Sequence, residues 1–403
     1  MGKPLDGVKV VELATYVAAP VVGRMLRDLG AEVVKIEGRG GDAWRMTAMG
    51  MTGTGDDENP AFDIFNAGKK SICLNLKAEQ GKEVFFKLLE QADVLVTNTR
   101  HQSLVKLGVD YDSLKDRFPR LIYATLTGYG YEGPDCDAPG FDNVAFWSRP
   151  GILADLMIDA PGNYPMNTRG AMGDVTSGSI LFGGVMTALY QRERTGRGDL
   201  VTMSLYNAGI WVSGGCLMMA EKPYSYPFPA PRFGNSNPMN LPYRCADGQW
   251  MRCTVFEYER YADKLFNALG IAGEIAALGI TDMNSLMAGS EQAGPLLERA
   301  FAAKTVDEWI GIFKALDIVC GRLSHFADVF EDEQALANGY VQSYHCLNGA
   351  RRMITTAPVR LGSQGALAVG EPFAPGQHGE EILRGLGYSE EETAEMKASG
   401  ALY

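Results

Sequence analysis

The sequence has no excess of positive charge and no hydrophobic run long enough to cross a membrane. Its 37 Lys and Arg residues stand against 49 Asp and Glu residues, which leaves a formal net charge of -12. Because such a chain does not attract nucleic acid or anionic lipid through its bulk charge, an anionic ligand needs a local basic pocket. The most apolar stretch, residues 180–190, is about half of the ~20 residues that span a bilayer. The first residues show no signal-peptide core, so we expect a cytoplasmic protein that binds neither membrane nor nucleic acid.

Cysteine and histidine are too few and too scattered for a disulfide framework or a metal centre. The seven cysteines include no CxxC pair, and no two of the four histidines stand at metal-ligand spacing. We therefore expect free thiols in a reducing compartment and no metal site. The chain also lacks a P-loop motif and the GxSxG motif of a serine nucleophile.

A literal GxGxxG motif is present at Gly128, Gly130 and Gly133, after a predicted strand. A dinucleotide site requires a helix to begin directly after this motif, because the helix N-terminus holds the pyrophosphate. Here the next residues include Pro134 and Pro139, which predict a loop. The motif therefore does not indicate a nicotinamide or flavin site.

Apolar strands alternate with amphipathic helices over the first 130 residues. Strands are predicted over residues 8–13, 31–37, 72–76, 93–97 and 121–127, and helices over 20–29 and 77–92. This alternation predicts an α/β domain with a parallel sheet covered on both faces.

The composition changes at residues 221–231, where four prolines predict an extended linker. Beyond it we predict a hairpin over 242–255 that turns at Asp247-Gly248, helices near 257–269, 291–303 and 305–316, a returning strand over 351–361, and a capping box at Ser389 and Glu392. The expected domains are residues 1–220 for a large α/β domain, 221–325 for the linker and a small α+β domain, and 326–403 for a return to the large domain.

Asp174 directly precedes a predicted helix from Ser177 to Arg192, and two interpretations of it stay open. As a helix N-cap, its side chain accepts free backbone N–H groups. As a nucleophile, it is held ionised by the helix dipole, and flanking glycines let a substrate approach. Basic residues near the predicted strand ends, among them Lys69 and Lys70, form a candidate anion pocket, although scattered solvated charges would look the same.

Nine segments, in order along nearly the whole chain, resemble the family III CoA-transferases. They are PLDGVKVVEL at 4–13, the Ala19-Pro20 turn, GAEVVKIE at 30–37, FNAGKKSICLNL at 65–76, ADVLVTN at 92–98, LTGYGYEGP at 126–134, GDVTSG at 173–178, TGRGDLV at 195–201 and GQHGEEIL at 376–383. Within that family, the chain shows a closer similarity to the clostridial enzymes that activate (R)-2-hydroxy acids in amino acid fermentation.

The resemblance implies an open, mostly parallel Rossmann-like sheet formed by both chain ends, an inserted smaller domain and an interlocked homodimer. It makes Asp174 the nucleophile that forms aspartyl anhydride and aspartyl-CoA thioester intermediates. It also implies that no cofactor is permanently bound, since an acyl-CoA and a carboxylic acid would be the substrates.

The resemblance also implies which residues form the site. The CoA-binding residues are expected to be Val17, Ala18, Arg39, Leu74, Asn98, Thr99 and Lys106, to which charge and position add Arg100. The residues expected near the acid are Tyr16, Phe141, Gly234, Asn235 and Met239. Oxalate-type relatives have Gln in place of Val17 and a run of glycines around Met239, so we expect an acid with a branched or aromatic side chain.

The 2-methylacyl-CoA racemases share the implied fold and are the main alternative, together with CoA-transferases for a bile acid or carnitine. Racemisation requires two bases on opposite faces of the substrate carbon. The racemases carry a histidine in a Gly-His-Asp-Asn loop, and Phe141 occupies that position in Gly140-Phe141-Asp142-Asn143. Because phenylalanine cannot transfer a proton, the sequence favours the transferase.

Overall fold

The computed structural model describes residues 2–158, 161–234, 236–365 and 367–403. The chain divides into two compact units. The first unit comprises Met1–Leu153, Asn167–Tyr226 and Asp332–Tyr403, and the second comprises Ala154–Met166 and Pro227–Glu331. The sequence predicts divisions after residues 220 and 325, whereas the structure divides the chain after Tyr226 and Glu331. The segment Ala154–Met166 groups with the second unit, which the sequence does not predict.

A six-stranded sheet forms the centre of the first unit. Its strands are β1 (Lys9–Leu13), β2 (Glu32–Glu37), β3 (Lys70–Cys73), β4 (Val94–Thr97), β5 (Ile122–Thr127) and β6 (Leu200–Ser204). They lie in the order β3-β2-β1-β4-β5-β6, and every neighbouring pair is parallel. The predicted parallel sheet is therefore confirmed. The strand order reverses between β1 and β4, and open α/β sheets bind ligands outside the carboxyl ends of the strands at such a point.

The expectation that both chain ends form this sheet is wrong, because its six strands all lie within residues 9–204. The predicted strand over 351–361 is only β11 (Arg351–Thr355), which pairs with β10 (Val341–His345) in a separate antiparallel sheet. The pattern of residues that predicts a strand does not reveal which strand it pairs with. Because the connection between β10 and β11 is short, β10 is the nearest partner for β11. The C-terminal residues instead touch the main sheet's edge through an isolated bridge between Leu74 and Leu402.

Apolar residues of the strands alternate between two hydrophobic cores, as the period of two in a strand requires. Val10 of β1 belongs to the core that contains α1 and α8, whereas Val11 belongs to the core on the opposite face.

The helices in chain order are α1 (Ala18–Asp28), α2 (Ala43–Thr52), α3 (Pro60–Asn66), α4 (Glu79–Gln91), α5 (His101–Leu107), α6 (Tyr111–Leu114), α7 (Ile152–Asp155), α8 (Met172–Thr195), α9 (Leu205–Val212), α10 (Gly214–Ala220), α11 (Tyr258–Leu269), α12 (Ala272–Ala277), α13 (Met283–Ala288), α14 (Ser290–Phe301), α15 (Val306–Ala315), α16 (Glu333–Ala337), α17 (Gly379–Gly385) and α18 (Glu390–Ser399).

The second unit contains a three-stranded antiparallel sheet packed with α11 to α15. Its strands are β7 (Pro242–Arg244), β8 (Trp250–Cys253) and β9 (Cys320–Arg322). The predicted hairpin is confirmed, because β7 and β8 pair on either side of Asp247-Gly248, and Gly248 has a φ of +76°. The capping box of α18 at Ser389 and Glu392 is also confirmed.

The GxGxxG motif continues as a loop, as predicted. Gly128 is required for a close backbone approach, because a Cβ there would lie 2.8 Å from the Cα of Gly140. In the part of the chain that the structure describes, no helix is both long and apolar enough to cross a bilayer.

The close packing of α8 on α1 provides a test of the fold. A Cβ at Gly178 would lie 2.3 Å from the carbonyl oxygen of Ala18 and 2.8 Å from the Cβ of Val21. Gly178→Ala should therefore lower the free energy of unfolding by about 1–3 kcal/mol, because neither helix can move away without disturbing the core. The urea midpoint followed by circular dichroism measures this change.

Gly183→Ala on the same helix is the matched control. A Cβ at Gly183 would have no neighbour within 4 Å, and the residue is exposed. This substitution should stabilise the protein by up to about 1 kcal/mol through helix propensity. Equal midpoints for the two variants would contradict the packing argument.

Candidate active site

Two cavities of the first unit meet at Asp174, at the carboxyl ends of the strands and beside the point where the strand order reverses. The polar cleft has a volume of about 390 Å³ and is lined by Thr15, Asn98, Thr99, Arg100, Ser103 and Thr127, among others. The apolar cavity has a volume of about 590 Å³ and is lined by residues that include Val17, Trp44, Thr47, Met51, Asn143 and Arg169. Tyr16, Phe141 and Asp174 line both.

The turn between β1 and α1 forms one wall of both cavities. Tyr16 has a φ of +62°, a conformation that a bulky side chain adopts only under constraint. The Asn98 amide supplies one constraint, because its Oδ1 accepts the Thr15 N–H at 3.0 Å and its Nδ2 donates to the Thr15 carbonyl at 2.7 Å. The Asp42 carboxylate supplies another by accepting the Tyr16 N–H at 3.0 Å. The turn is thus held from β4 and from the start of α2.

A network of buried charges lies beneath this turn. The Lys35 ammonium contacts Glu12 and Asp42, each at 2.9 Å, and also donates to the Ala14 carbonyl at 2.9 Å. Burial favours the neutral amine, but the carboxylates of Asp42 and Glu12 outweigh it and raise the pKa of Lys35 above its ordinary value. Lys35 therefore stays charged, and its contacts fix the backbone on which Tyr16 stands.

Lys69 and Lys70 do not form an anion pocket. The Lys69 ammonium is fully buried and contacts Glu12 at 2.7 Å, and burial lowers its pKa to about 8. Lys70 pairs with Glu381 at 2.9 Å. Their positions beside a strand end suggest a pocket, but ion pairs formed by the tertiary structure already occupy both side chains.

The structure brings most of the expected site residues together and leaves others apart. Tyr16, Val17, Ala18, Asn98, Thr99, Arg100, Phe141 and Asp174 all line one or both cavities. Three expected CoA-binding residues line neither cavity. Arg39 is exposed and lies over the ring of Tyr403, Leu74 is buried in a hydrophobic core, and Lys106 is exposed on α5.

The expected acid-binding residues of the 234–240 loop belong to the second unit. Met239 is 1 % exposed and packs inside the core of that unit, so the expectation that its side chain faces a substrate is wrong. An apolar side chain has the same sequence signature in a core and in a pocket. A Cβ at Gly234 would lie 2.2 Å from the Cγ of Pro231, and Asn235 lies outside the described residues.

Asp174 is not a helix N-cap. Helix α8 begins at Met172, its N-cap residue is Ala171 with a φ of +55°, and Asp174 stands in the first turn. The Asp142 Oδ1 accepts the Asp174 N–H at 2.8 Å. A residue outside the helix thus provides an acceptor for one of the N–H groups of the first turn, which have no partner within the helix. A Cβ at Gly173 would lie 2.4 Å from the Cγ of Phe146 and 2.5 Å from the Asp142 Oδ1, so the close packing at this point requires a glycine.

Asp174 is partly buried, and burial raises its pKa to about 7, with a further contribution from the negative charge of Asp142. The expectation that the helix dipole holds this carboxylate ionised is therefore wrong in direction. The sequence showed Asp142 only as a neighbour of Phe141 and gave no sign of this contact. A basic, partly buried carboxylate between two cavities has the properties of an activated nucleophile.

No cysteine or histidine in the described part of the chain lines either cavity. His101, which is nearest in sequence to the cleft residues, packs its ring against Tyr131 at a centroid distance of 5.2 Å. Phe141 packs edge-on against Tyr16 at 5.4 Å. The histidine that the racemases carry therefore has no counterpart among the described residues that line the cavities.

Comparisons with known proteins identify the family. The model of CoA-transferase family III matches residues 5–379. The chain is 35 % identical over 398 residues to the (R)-2-hydroxy-4-methylpentanoate CoA-transferase of Clostridioides difficile, with 98 % of each chain covered. It is 36 % identical over 395 residues to the cinnamoyl-CoA:phenyllactate CoA-transferase of Clostridium sporogenes, covering 97 % of this chain and 95 % of the relative. The crystal structure of a CAIB/BAIF family protein from Brucella suis superposes with a TM-score of 0.81 and 26 % identity, covering 96 % of this chain and all of the other.

The raised pKa of Asp174 predicts a pH-dependent cost in stability. The pKa of Asp174 is about 7 in the folded protein, whereas the ordinary value is 3.8. Between these pH values the unfolded chain releases the proton more readily than the folded protein does, so the free energy of unfolding falls as the pH rises. Asp174→Asn should therefore be more stable than the parent at pH 8, by about 1–3 kcal/mol, and its advantage should shrink towards pH 4. Urea unfolding at both pH values measures the difference.

Asp112→Asn changes the net charge equally and serves as control, because Asp112 is exposed and pairs only with Lys115 among the described residues. It should show no such gain. An Asp174→Asn advantage that is the same at pH 4 and pH 8 would refute the assignment of the raised pKa.

Proposed function

The chain belongs to CoA-transferase family III, and we propose that it transfers CoA from an acyl-CoA donor to an (R)-2-hydroxy acid with a branched or aromatic side chain. Asp174 is the covalent nucleophile of this proposal. The observation that carries it is the position of this one carboxylate between a polar cleft and an apolar cavity. The activities for which the two clostridial relatives are named support the substrate class.

The polar cleft suits the CoA portion of the donor. Its lining offers the side chains of Asn98, Thr99 and Ser103 for hydrogen bonds, and the guanidinium of Arg100 for a phosphate. In a chain with a net charge of -12, a local cation of this kind is needed to retain an anionic substrate. CoA is a substrate in this proposal, and no resident cofactor takes part.

The apolar cavity suits the side chain of the acid. The Trp44 indole forms part of its wall and is held by a hydrogen bond from its Nε1 to the Ala61 carbonyl at 2.8 Å. Tyr16 packs between Trp44 and Phe141, with centroid distances of 6.4 Å and 5.4 Å. A small dicarboxylate such as oxalate would leave these apolar walls unfilled, whereas an isobutyl or benzyl group would cover them.

In the proposed reaction, an Asp174 oxygen attacks the thioester carbonyl carbon of the donor. The carbon–sulfur bond breaks, CoA leaves as the thiolate, and a mixed anhydride forms. The thiolate then attacks the Asp174 carbonyl carbon, which releases the donor acid and leaves an aspartyl-CoA thioester. The acceptor carboxylate displaces the thiolate to form a second anhydride, and the thiolate attacks the acceptor's carbonyl carbon, which frees Asp174.

We further propose that the protein works as an interlocked homodimer in the cytoplasm, as the sequence resemblance implies. Large apolar side chains exposed on α9 and α10, such as Trp211 and Met218, are consistent with a surface covered by a second chain. Light scattering of the purified protein tests the dimer, which a folded and active monomer would contradict.

The covalent role of Asp174 predicts a trappable intermediate. Incubation with a donor acyl-CoA followed by hydroxylamine should leave a hydroxamate on the peptide that contains Asp174, because hydroxylamine attacks activated acyl groups. Peptide mass spectrometry locates the modification. Asp174→Asn keeps the shape of the side chain but removes the nucleophile, so its turnover should fall at least about 10³-fold. An Asn variant with parental turnover and no modification on this peptide would exclude covalent catalysis by Asp174.

The apolar cavity predicts a preference among acceptor acids. (R)-2-Hydroxy-4-methylpentanoate and phenyllactate should exceed oxalate in kcat/KM by about 10- to 100-fold, because each buried methylene contributes ~0.8 kcal/mol. Met51→Gln should reduce this preference, since Met51 lines the cavity. Met46→Gln on the same helix is the matched control, because Met46 is similarly exposed, at 69 % against 64 %, but does not line the cavity. Oxalate turnover equal to that of phenyllactate would refute the proposed substrate class.

A further inference from the structure

Asp142 is a buried carboxylate beside the proposed nucleophile, and the reaction steps above do not use it. It begins a π-helical turn, Asp142–Ser148, and is 8 % exposed. Its Oδ1 accepts the backbone N–H of Asp174 at 2.8 Å. Two acidic residues from separate segments are thus held together at the start of α8, and a Cβ at Gly173 would collide with the Asp142 oxygen.

The contacts of the two carboxylates differ in a way that separates their ionisation. Burial raises the pKa of Asp142, but the backbone N–H groups of residues 174 and 173 oppose this effect. Within the described part of the chain, no such donor offsets the burial of Asp174, and the charge of Asp142 raises its pKa further. Asp142 therefore ionises first, and Asp174 must ionise beside an existing negative charge.

The other ionisable side chains that line the two cavities, among the described residues, are Tyr16, Arg100 and Arg169. Among the charges near Asp174, that of Asp142 is the one that acts on its pKa. The electrostatic environment of the nucleophile is therefore set mainly by burial and by this single neighbour.

We propose that Asp142 is a positioning residue that both anchors the backbone of Asp174 and, through its negative charge, favours acylation of that carboxylate. This inference rests on the proposed function of Asp174. In the free enzyme two carboxylates carry negative charge side by side. When an Asp174 oxygen bonds to the acyl carbon and the carbon–sulfur bond breaks, the charge leaves with the CoA thiolate, and Asp174 becomes neutral.

Acylation thus relieves the repulsion between the two side chains. An aspartyl anhydride or thioester is a high-energy species. Because the repulsion raises the free energy of the unacylated enzyme, it reduces the difference in free energy between the unacylated and the acylated enzyme. The same repulsion makes Asp174 more basic than an ordinary carboxylate, which increases its reactivity towards a carbonyl carbon once it is ionised.

The experiment separates the charge of Asp142 from its role as a hydrogen-bond acceptor. Asp142→Asn retains an oxygen that can accept the Asp174 N–H but removes the charge, whereas Asp142→Ala removes both. We measure kcat/KM against pH for a donor acyl-CoA, together with the thermal midpoint. The parent should lose activity below a pH near 7, where Asp174 becomes protonated.

In Asp142→Asn the acidic limb of the kcat/KM profile should move about one pH unit lower, and the value of kcat/KM on the plateau at pH 9 should fall about tenfold. Asp142→Ala should lower the thermal midpoint, and Asn at this position should restore the midpoint without restoring the plateau. Asp112→Asn, which removes an exposed carboxylate of α6, is the control for net charge and should match the parent. A purely structural role would leave the pH profile of Asp142→Asn unchanged, and that result would overturn the proposal.

Hydroxylamine trapping on the parent enzyme distinguishes the two hypotheses. If Asp174 is labelled in the parent while Asp142→Asn keeps the parental profile and plateau, the inference on Asp142 fails and the covalent role of Asp174 stands. If Asp174 is not labelled in the parent, the proposed mechanism itself fails. A labelled parent together with a shifted profile in Asp142→Asn supports both.

Discussion

The ion pairs of Lys35 are the constraint on which the site depends. This buried ammonium of β2 joins Glu12 of β1 to Asp42 at the start of α2, and it also donates to the Ala14 carbonyl. Removing one member of such a buried group would leave an uncompensated charge, at a cost of about 3–5 kcal/mol. Because the same Asp42 accepts the Tyr16 N–H, the charge network and the strained turn cannot change independently.

The nucleophile is held by a different means on the other side of the site. Helix α8 has no side-chain cap of its own, and Asp142 supplies the acceptor from a neighbouring segment. Tyr16, which lines both cavities, and Ala171, which lines the apolar cavity, both have positive φ values. Strained backbone and an unfavourably placed carboxylate are concentrated here, while the sheet beneath consists of regular parallel strands. Such a distribution is typical of active sites, where the rest of the fold supports local strain.

Counting charges in the sequence is a poor guide to ligand binding in this protein. Lys69 and Lys70 both occupy ion pairs within the fold, whereas Arg100 lines the cleft beside Asp174. Lys69, just before β3, is fully buried and must therefore find a carboxylate, whereas Lys70 on the edge strand is partly exposed and pairs with Glu381. An arginine after the end of a strand lies at the open edge, where its charge remains available to a ligand.

The sequence by itself determined the parallel α/β unit, the loop after the glycine motif and the hairpin of the second unit, because periodicity and turn residues act locally. It also determined the family, since the nine ordered segments are recognised by the identity of their residues and not by their geometry. Only the tertiary structure decided which strands pair, which lysines are neutralised, and that Met239 belongs to a core. It also decided that Asp174 lies inside a helix beside Asp142 and is more basic than an exposed carboxylate. Those properties depend on burial and on neighbours distant in the chain, such as residues 142 and 174, and no local pattern encodes such a contact.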